Sequence, residues 1–357
     1  MLEIIPKLPA YLFFRRFGFP GPLPLSYTIS VTYRCNSRCL TCNVYERKAR
    51  ELTVDEYEKL FKSLGRAPYW ITISGGEPFL RTDLADICAR LYRICHPAII
   101  NIPTNGILCD RIPEMVKEIA GACPDSSLII NLSLDDVRER HDKIRGVPGN
   151  FDKSMKTLEA IKKIKPANVT VGIHTVISRY NVRRIPEIYK ELSRLKPDSF
   201  ISEIAEEREE LLTMGAGITP GYDEYAPAID FLMDRIRETR FRGISKITQA
   251  FRLQYYEMVK QYLVKKRQIF PCYAAFLSTQ IAPDGDVWPC CIRADVMGNL
   301  RAHDYDFKQV WLSPEADRIR RSVKNRECAC PLANAAYTNM LCRFPSLFKA
   351  SRHLMGL

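Results

Sequence analysis

Six short β-branched runs punctuate residues 26–205: SYTISVT, YWITIS, AIINIPT, SLIINLSL, NVTVGIHTVIS and DSFISEIA. Charged stretches with helical period separate them. Strands alternating with helices imply a parallel sheet joined by right-handed crossovers. Strands this apolar need helices as cover. Six units predict an α/β fold, a partial (β/α)6 barrel that is TIM-like but incompletely closed. The first helix of the series has a marked start, because Thr53 and Glu56 form a capping box in TVDEYEKLFKSL. In such sheets functional groups collect at the carboxyl ends of the strands.

Directly after the first run stand Cys35, Cys39 and Cys42, in VTYRCNSRCLTCNVY. Three thiolates at this spacing can hold three corners of an iron–sulfur cube. Such clusters normally take four thiolates, so one iron stays open to another ligand. Two other readings compete. Positions i, i+4 and i+7 share a helix face, which would make these buried structural cysteines. Asn36, Ser37 and Arg38 are loop formers or polar, however, and no helix cap precedes them. Zinc usually brings paired CxxC units or histidine partners. The cluster is favoured.

A chain of 357 residues holds one large or two modest domains. Its thirteen cysteines would suit disulfides in an exported protein. The opening MLEIIPKLPAYLFFRRFGF has no basic n-region or small-residue cleavage site, and Pro6 and Pro9 break it. No apolar run reaches bilayer length. The expectation is a reducing cytoplasm with thiols kept for metal. A net charge of +12 admits nucleic acid, a membrane surface or an acidic substrate. With no dense arginine tract and no nucleic-acid motif, no nucleic-acid partner is expected. The basic excess is noticeable at the two ends. Lys7, Arg15 and Arg16 lie among Leu8, Tyr11, Leu12, Phe13, Phe14 and Phe17; the tail CRFPSLFKASRHLMGL carries Arg343, Lys349 and Arg352 without an acid. Such ends either pack across the body, the commoner use, or rest on the cytoplasmic face of a membrane.

After residue 205 the pattern changes. GAGITPG breaks it, and EYAPAIDFLMDRIRETR and KITQAFRLQYYEMVKQYLVKKRQ read as amphipathic helices. From Phe270 onward the chain is short-stranded and cysteine-bearing. The expected units are an amphipathic extension (1–25), the partial barrel (26–205), a helical connector (206–268), a small cysteine-rich α+β module (269–345) and a basic apolar tail (346–357).

CxxxCxxC after the first strand, followed by ISGGEPFLR after the second, resembles the radical S-adenosylmethionine (SAM) superfamily over residues 26–205. In that family the amino nitrogen and carboxylate of SAM chelate the open iron. The resemblance implies that Gly75, Gly76 and Glu77 receive the SAM ammonium, two glycines permitting close backbone approach and Glu77 supplying opposite charge. Asn105 in PTNG resembles a residue used near the methionine part. Ser133 and Asp135 in SLDD correspond to groups on the ribose hydroxyls, sharing one face of an alternating strand. Arg145 in HDKIRG corresponds to an arginine whose fork suits the SAM carboxylate. One departure stands out: Thr41 replaces the aromatic residue that often precedes the third cysteine near adenine. Tyr45, or the backbone around Asn43, is then expected to supply that contact. His174, Glu203 and Glu206, at the ends of strands five and six, are candidates for substrate contact or proton acceptance. A core histidine and solvated acids are the ordinary alternative.

Downstream, Cys272, Gly285 and Cys290 in CYAAFLSTQIAPDGDVWPCC resemble the opening of SPASM and twitch domains, which hold auxiliary [4Fe–4S] clusters. IAPDGDVWP reads as a hairpin turning at Asp284-Gly285, which would bring Cys272 and Cys290 together. ECACPLANAAYTNMLC adds Cys328, Cys330 and Cys342. A two-cluster domain needs more cysteines, so one auxiliary cluster is expected on Cys272, Cys290, Cys328 and Cys330. Cys342 is the substitute, because CxC on one cube is tighter than CxxC. Cys291 is expected to point the other way along the strand. Structural zinc on the same thiols is the alternative. Cys88, Cys95, Cys109 and Cys123 read as ordinary thiols.

The resemblance implies an oxidoreductase that cleaves SAM reductively to a 5′-deoxyadenosyl radical and takes hydrogen from an unactivated substrate carbon. A flavodoxin or ferredoxin would supply electrons, and a fully ligated auxiliary cube would accept one from the substrate. Relatives acting on ribosomal peptides carry a leader-binding domain ahead of the barrel. With the first cysteine at residue 35 that domain is not expected, which favours a small-molecule or lipid substrate. A peptide or protein maturase, similar to the anaerobic sulfatase-maturating enzymes, is the alternative. A zinc- or cluster-bearing nucleic-acid-binding protein is the non-enzyme alternative; it predicts salt-sensitive binding and no SAM cleavage.

Overall fold

The six runs form strands β1 (Ser26–Thr32), β2 (Trp70–Gly75), β3 (Ile99–Thr104), β4 (Ser127–Ser133), β5 (Val169–Ile177) and β6 (Ser199–Ile204). All neighbours are parallel, in the order β6-β5-β4-β3-β2-β1. A computed structural model describes residues 2–164, 166–239 and 244–355. Helix α1 (Leu8–Phe17) precedes the sheet. The crossovers are α2 (Val54–Leu64), α3 (Leu84–Cys95), α4 (Arg111–Ala122), α5 (Arg138–Arg145), α6 (Asn150–Ile164) and α7 (Ile185–Ser193). Helix α2 starts at the expected capping box: Glu56 N donates to Thr53 Oγ1 (3.2 Å), and Thr53 N donates to Glu56 Oε2 (2.7 Å). Ile29, Ile73, Ile100, Ile130 and Ile173 are fully buried, as strands covered on the outside by helices require.

The sheet stays open between β6 and β1 and grows on the far side of β1. Strand β7 (Ser278–Ile281) pairs in parallel with β1, from Ser26↔Ser278 to Ile29↔Ile281. Strand β8 (Asp286–Trp288) returns antiparallel as the expected hairpin, and β9 (Gly298–Asn299) completes nine strands. The hairpin of the expected C-terminal module thus also extends the barrel sheet. Four residues of strand carry no mark of a partner some 250 residues earlier. Helices α8 (Tyr222–Glu238), α9 (Ile244–Lys265), α10 (Phe307–Trp311), α11 (Pro314–Lys324), α12 (Ala333–Leu341) and α13 (Phe344–Met355) complete the chain. Helix α9 packs against α8, α12 and α13, and its Arg252 Nη1 donates to Phe200 O at 2.7 Å, fastening it to β6.

Helix α1 divides the two uses considered for the N-terminal extension. Leu8, Tyr11 and Phe14 are buried against the body, whereas Leu12, Phe13 and Phe17 are exposed. Cys88, Cys95 and Cys123 are core thiols. Among the described residues no helix is long and apolar enough to cross a membrane.

Candidate active site and cluster centres

The loop after β1 is held from four sides. From the end of β2, Gly76 N donates to Thr32 O (2.7 Å) and Glu77 N to Arg34 O (2.9 Å). From the end of β3, Asn105 Nδ2 donates to Asn36 Oδ1 (2.7 Å) and Ser37 Oγ (3.1 Å). To the end of α5, Arg38 N donates to Arg145 O (3.0 Å) and Leu40 N to Ile144 O (2.8 Å). Toward the segment after β6, Asn43 N donates to Leu211 O (2.9 Å) and Arg47 Nη2 to Glu209 O (2.7 Å). A loop with this many anchors holds its side chains in place before any ligand arrives.

The three thiols of this loop are near enough for their charges to interact. Burial pushes Cys35 up to about 11 and Cys42 up to about 12; it raises Cys39 as well, against the opposing Arg145 guanidinium. Iron takes thiolates, so loading the site releases protons, and the Arg145 charge favours that release. Among the described residues no three His, Cys, Asp or Glu side chains are placed to hold a single metal ion. A cube, whose irons sit at separate corners, takes thiolates spread wider than one ion does.

The glycines before Glu77 also serve a purpose within the chain. Gly75 has φ +123°, and a Cβ there would lie 2.1 Å from Thr32 O; at Gly76 it would lie 2.1 Å from Arg34 O. Their bareness lets β2 press against the cysteine loop itself, so the close approach is to backbone. Glu77 is buried and accepts from Phe79 N (3.2 Å), Thr104 Oγ1 (2.9 Å) and Asn105 N (2.7 Å). A carboxylate has about four lone-pair sites, which leaves one for a further donor such as an ammonium.

Asp135 and Arg145, assigned by resemblance to ribose and carboxylate, bond to each other: Arg145 Nη1 donates to Asp135 Oδ2 at 3.1 Å. Asp135 Oδ1 also accepts from Val176 N at 2.9 Å. The expectation that Ser133 and Asp135 share a strand face does not carry over, because β4 ends at Ser133. Among the described residues the buried Arg145 Nε meets no acceptor, an orphaned donor beside the thiols that suits a carboxylate. Tyr45 lies with its ring 4.1 Å from the Arg38 guanidinium. Taken with Glu77, the donors and acceptors around the three thiols fit a cluster with SAM on its open iron.

His174 and Glu203 come together across β5 and β6, with Nε2 and Oε2 3.6 Å apart. Glu206 follows β6 and pairs with Arg208 at 3.1 Å. Sequence reasoning missed Arg208, because EERE reads as a solvated charge run. Burial pushes the Glu206 carboxyl up to about 7; Arg208 pulls it down and Glu203 adds to the rise. Near 4.5 in the unfolded chain, this carboxyl costs stability as pH rises from about 4.5 to 7 and carries the full penalty above that. Glu206→Gln is therefore expected to stabilise the protein by about 2 kcal/mol at pH 8 and hardly at all at pH 5. Urea-unfolding midpoints at the two pH values check this.

The second set of thiols also converges. Cys272, Cys328 and Cys330 line one cavity with Ile269, Phe270 and Leu332. Cys290 packs with Cys330 and Leu332, and its charge interacts with those of Cys272 and Cys328. Cys342 lies near Arg15, Tyr11 and Tyr273, and Arg15 Nε also donates to Cys272 O at 3.0 Å. Cys291 does not alternate with Cys290 along a strand: β8 ends at Trp288, and Cys291 sits in the following turn with its thiol toward Arg208 and Glu210. The Arg47 guanidinium lies over Tyr33 (5.7 Å) and Trp288 (5.9 Å), and Cys42 packs against the apolar cluster of Tyr33, Val44, Ala282 and Trp288.

Comparison with known proteins agrees with this geometry. Residues 29–192 match the model of the radical SAM superfamily, and residues 272–331 match that of an iron–sulfur cluster-binding domain, SPASM. The chain is 26% identical to Fe-coproporphyrin III synthase of Methanosarcina barkeri over 84% of this chain and 76% of that protein. It is 25% identical to mycofactocin maturase MftC of Mycobacterium tuberculosis over 85% of this chain and 74% of that one. Among solved structures, Streptococcus suis SuiB bound to S-adenosylmethionine aligns with a TM-score of 0.63 at 17% identity, over 87% of this chain and 71% of that chain. Native anSMEcpe with bound AdoMet aligns with a TM-score of 0.60 at 15% identity, over 93% and 98%. With three thiols at the end of β1, a glycine-lined loop at the end of β2 and a second thiol set on the sheet extension, the chain belongs to the radical SAM superfamily and carries a SPASM iron–sulfur domain.

Proposed function

We propose that this enzyme removes hydrogen from an unactivated C–H bond of a small-molecule or lipid substrate, and that its auxiliary centre takes up an electron from that substrate. Bound at Cys35, Cys39 and Cys42, a [4Fe–4S] cluster with SAM on its open iron supplies a 5′-deoxyadenosyl radical on reduction by a flavodoxin or ferredoxin. The protein's own part is positioning. Glu77 offers a lone pair to the SAM ammonium, Arg145 its free Nε–H to the carboxylate, and Asn105 locks the cysteine loop. Ser133, Asp135 and Tyr45 are assigned to the nucleoside. His174 and Glu203 line the barrel end where substrate would sit, with Glu206 as proton acceptor. Cys272, Cys290, Cys328 and Cys330 hold the auxiliary cluster; with four thiolates it keeps no open iron, which suits electron uptake over substrate binding.

The observation that carries this reading is the presence of two separate convergent thiol sets, with Glu206 near enough to Cys330 for their charges to interact. The relative named as Fe-coproporphyrin III synthase, which spans most of this chain, supports a small organic substrate. The likeness to the maturase MftC supports the second reading, a peptide or protein substrate. Incubating the reduced enzyme and SAM with perdeuterated candidates of each class separates them. Deuterium in 5′-deoxyadenosine marks the class, and label from a peptide alone would overturn the first reading.

A cytoplasmic enzyme that touches the membrane face is part of the same proposal. Phe13, Phe17 and Phe19 are exposed and touch one another, Phe13–Phe17 tilted with ring centroids 4.4 Å apart and Phe13–Phe19 edge-to-face at 5.2 Å. Lys7 and Arg16 are exposed in the same segment. Solvent-facing aromatics with neighbouring cations suit an anionic lipid surface. Replacing the three phenylalanines by serine is expected to reduce flotation with phosphatidylglycerol-containing vesicles at least fivefold, with unchanged melting. Equal flotation of variant and wild type would remove the surface from the proposal.

A further inference from the structure

Each thiol of the auxiliary set receives a hydrogen-bond donor, and one donor differs in kind. Cys272 Sγ accepts from Ala274 N at 3.5 Å. Cys290 accepts from the backbone N–H groups of Ile292 and Arg293, and Cys330 from that of Leu332. Apart from the Asn339 side chain, which also bonds Cys272, these donors belong to the main chain and would survive most substitutions. Cys328 instead faces a charged side chain, with Arg293 Nη1 3.9 Å from its Sγ.

The Arg293 guanidinium is fixed where it stands. Its Nη1 donates to Ser322 Oγ in α11 at 2.6 Å, and its Nη2 pairs with Asp295. The turn after Cys290 that carries Arg293 is closed by Ala294 N donating to Cys290 O at 3.1 Å. The cation and its counter-ion therefore stand at a set distance from one ligand sulfur. Hydrogen bonds to sulfur and the net charge near an iron–sulfur cluster set its reduction potential. A donor that carries positive charge stabilises the reduced cluster, whose charge is one unit more negative. An anion beside that donor weakens the effect.

We propose that Arg293 sets the reduction potential of the auxiliary centre upward through Cys328, and that Asp295 trims this effect. The inference rests on the auxiliary-cluster reading and extends it to redox tuning. Arg293 is a positioning residue, acting through a ligand and not on the substrate.

The test uses the full-length protein with Cys35, Cys39 and Cys42 changed to alanine, so that only the auxiliary iron remains. After anaerobic reconstitution and an iron count, an EPR-monitored reductive titration reads the midpoint. Arg293→Met is expected to lower it and Asp295→Asn to raise it, with Arg293→Lys between methionine and wild type, all at equal iron content. A purely structural role would change iron content without moving the midpoint in opposite directions. Equal midpoints in the methionine variant and the parent would overturn the proposal. If Arg293→Met fails to fold, an unmoved or lowered midpoint in Asp295→Asn overturns it instead. Absence of iron from the triple-alanine parent, with the fold intact, would overturn the auxiliary-cluster reading itself.

Discussion

Replacing Cys35, Cys39 and Cys42 together by alanine is expected to lower the iron content from about eight to about four per chain and to abolish SAM cleavage altogether. The halving follows from geometry. The two thiol sets share no residue: Cys35, Cys39 and Cys42 stand in the loop after β1, whereas Cys272, Cys328 and Cys330 line a cavity of their own. The loop around the three cysteines keeps its anchors in the variant, because these run through Asn36, Ser37, Asn43 and backbone groups. Melting should therefore stay close to that of the metal-free wild type. Loss of nearly all the iron, with the fold intact, would contradict a separate auxiliary cluster on Cys272, Cys290, Cys328 and Cys330.

The second large effect is expected from a single methyl group. In Gly76→Ala the new Cβ would stand 2.1 Å from Arg34 O and 2.8 Å from Tyr33 O. Both are backbone atoms of the cysteine loop, so no side chain can swing away to relieve the clash. The strands must separate or the loop must move, at a cost of about 3 kcal/mol. Gly76 N also donates to Thr32 O, and a shift would break that bond and the neighbouring one from Glu77 to Arg34. The variant should lose the iron of the first centre while keeping about four irons at the second. Gly121→Ala is the control. It lies in α4, where an added Cβ would meet nothing within 4 Å, and helix propensity there favours alanine by up to about 1 kcal/mol. Urea midpoints of the two variants should move in opposite directions, and only Gly76→Ala should lose iron.

What could be read from the chain divides along a physical line. The six barrel strands and the capping box at Thr53 are written in local patterns, apolar alternation and a side chain that reaches its own helix, so they survive reading without coordinates. The spacing of Cys35, Cys39 and Cys42 is local too, whereas the second cysteine set was implied by resemblance to SPASM and twitch domains. Nonlocal pairing was hidden. The run STQI at 278–281 carries no sign that it will lie beside β1, because backbone hydrogen bonds do not depend on which side chains they join. Arg208 and Glu210 sit in a run of charges that reads as solvated. Folding turns it inward, where Arg208 meets Glu206 and Glu210 accepts from Ser30 Oγ (2.7 Å) and Gln280 Nε2 (2.6 Å). The glycines of the β2 turn were found for their freedom, but the surface they approach was another loop of the same chain. Arg293 could not be singled out at all, since only the folded chain brings it to Cys328.

The central claim is that three thiols hold a cube whose open corner binds SAM. The most direct measurement is the amount of 5′-deoxyadenosine released when the anaerobically reconstituted protein is reduced by dithionite in the presence of SAM. The account predicts several equivalents per chain within an hour, with none from the protein lacking Cys35, Cys39 and Cys42. An iron-loaded wild type that leaves SAM intact, or equal release from the triple-alanine variant, would contradict it.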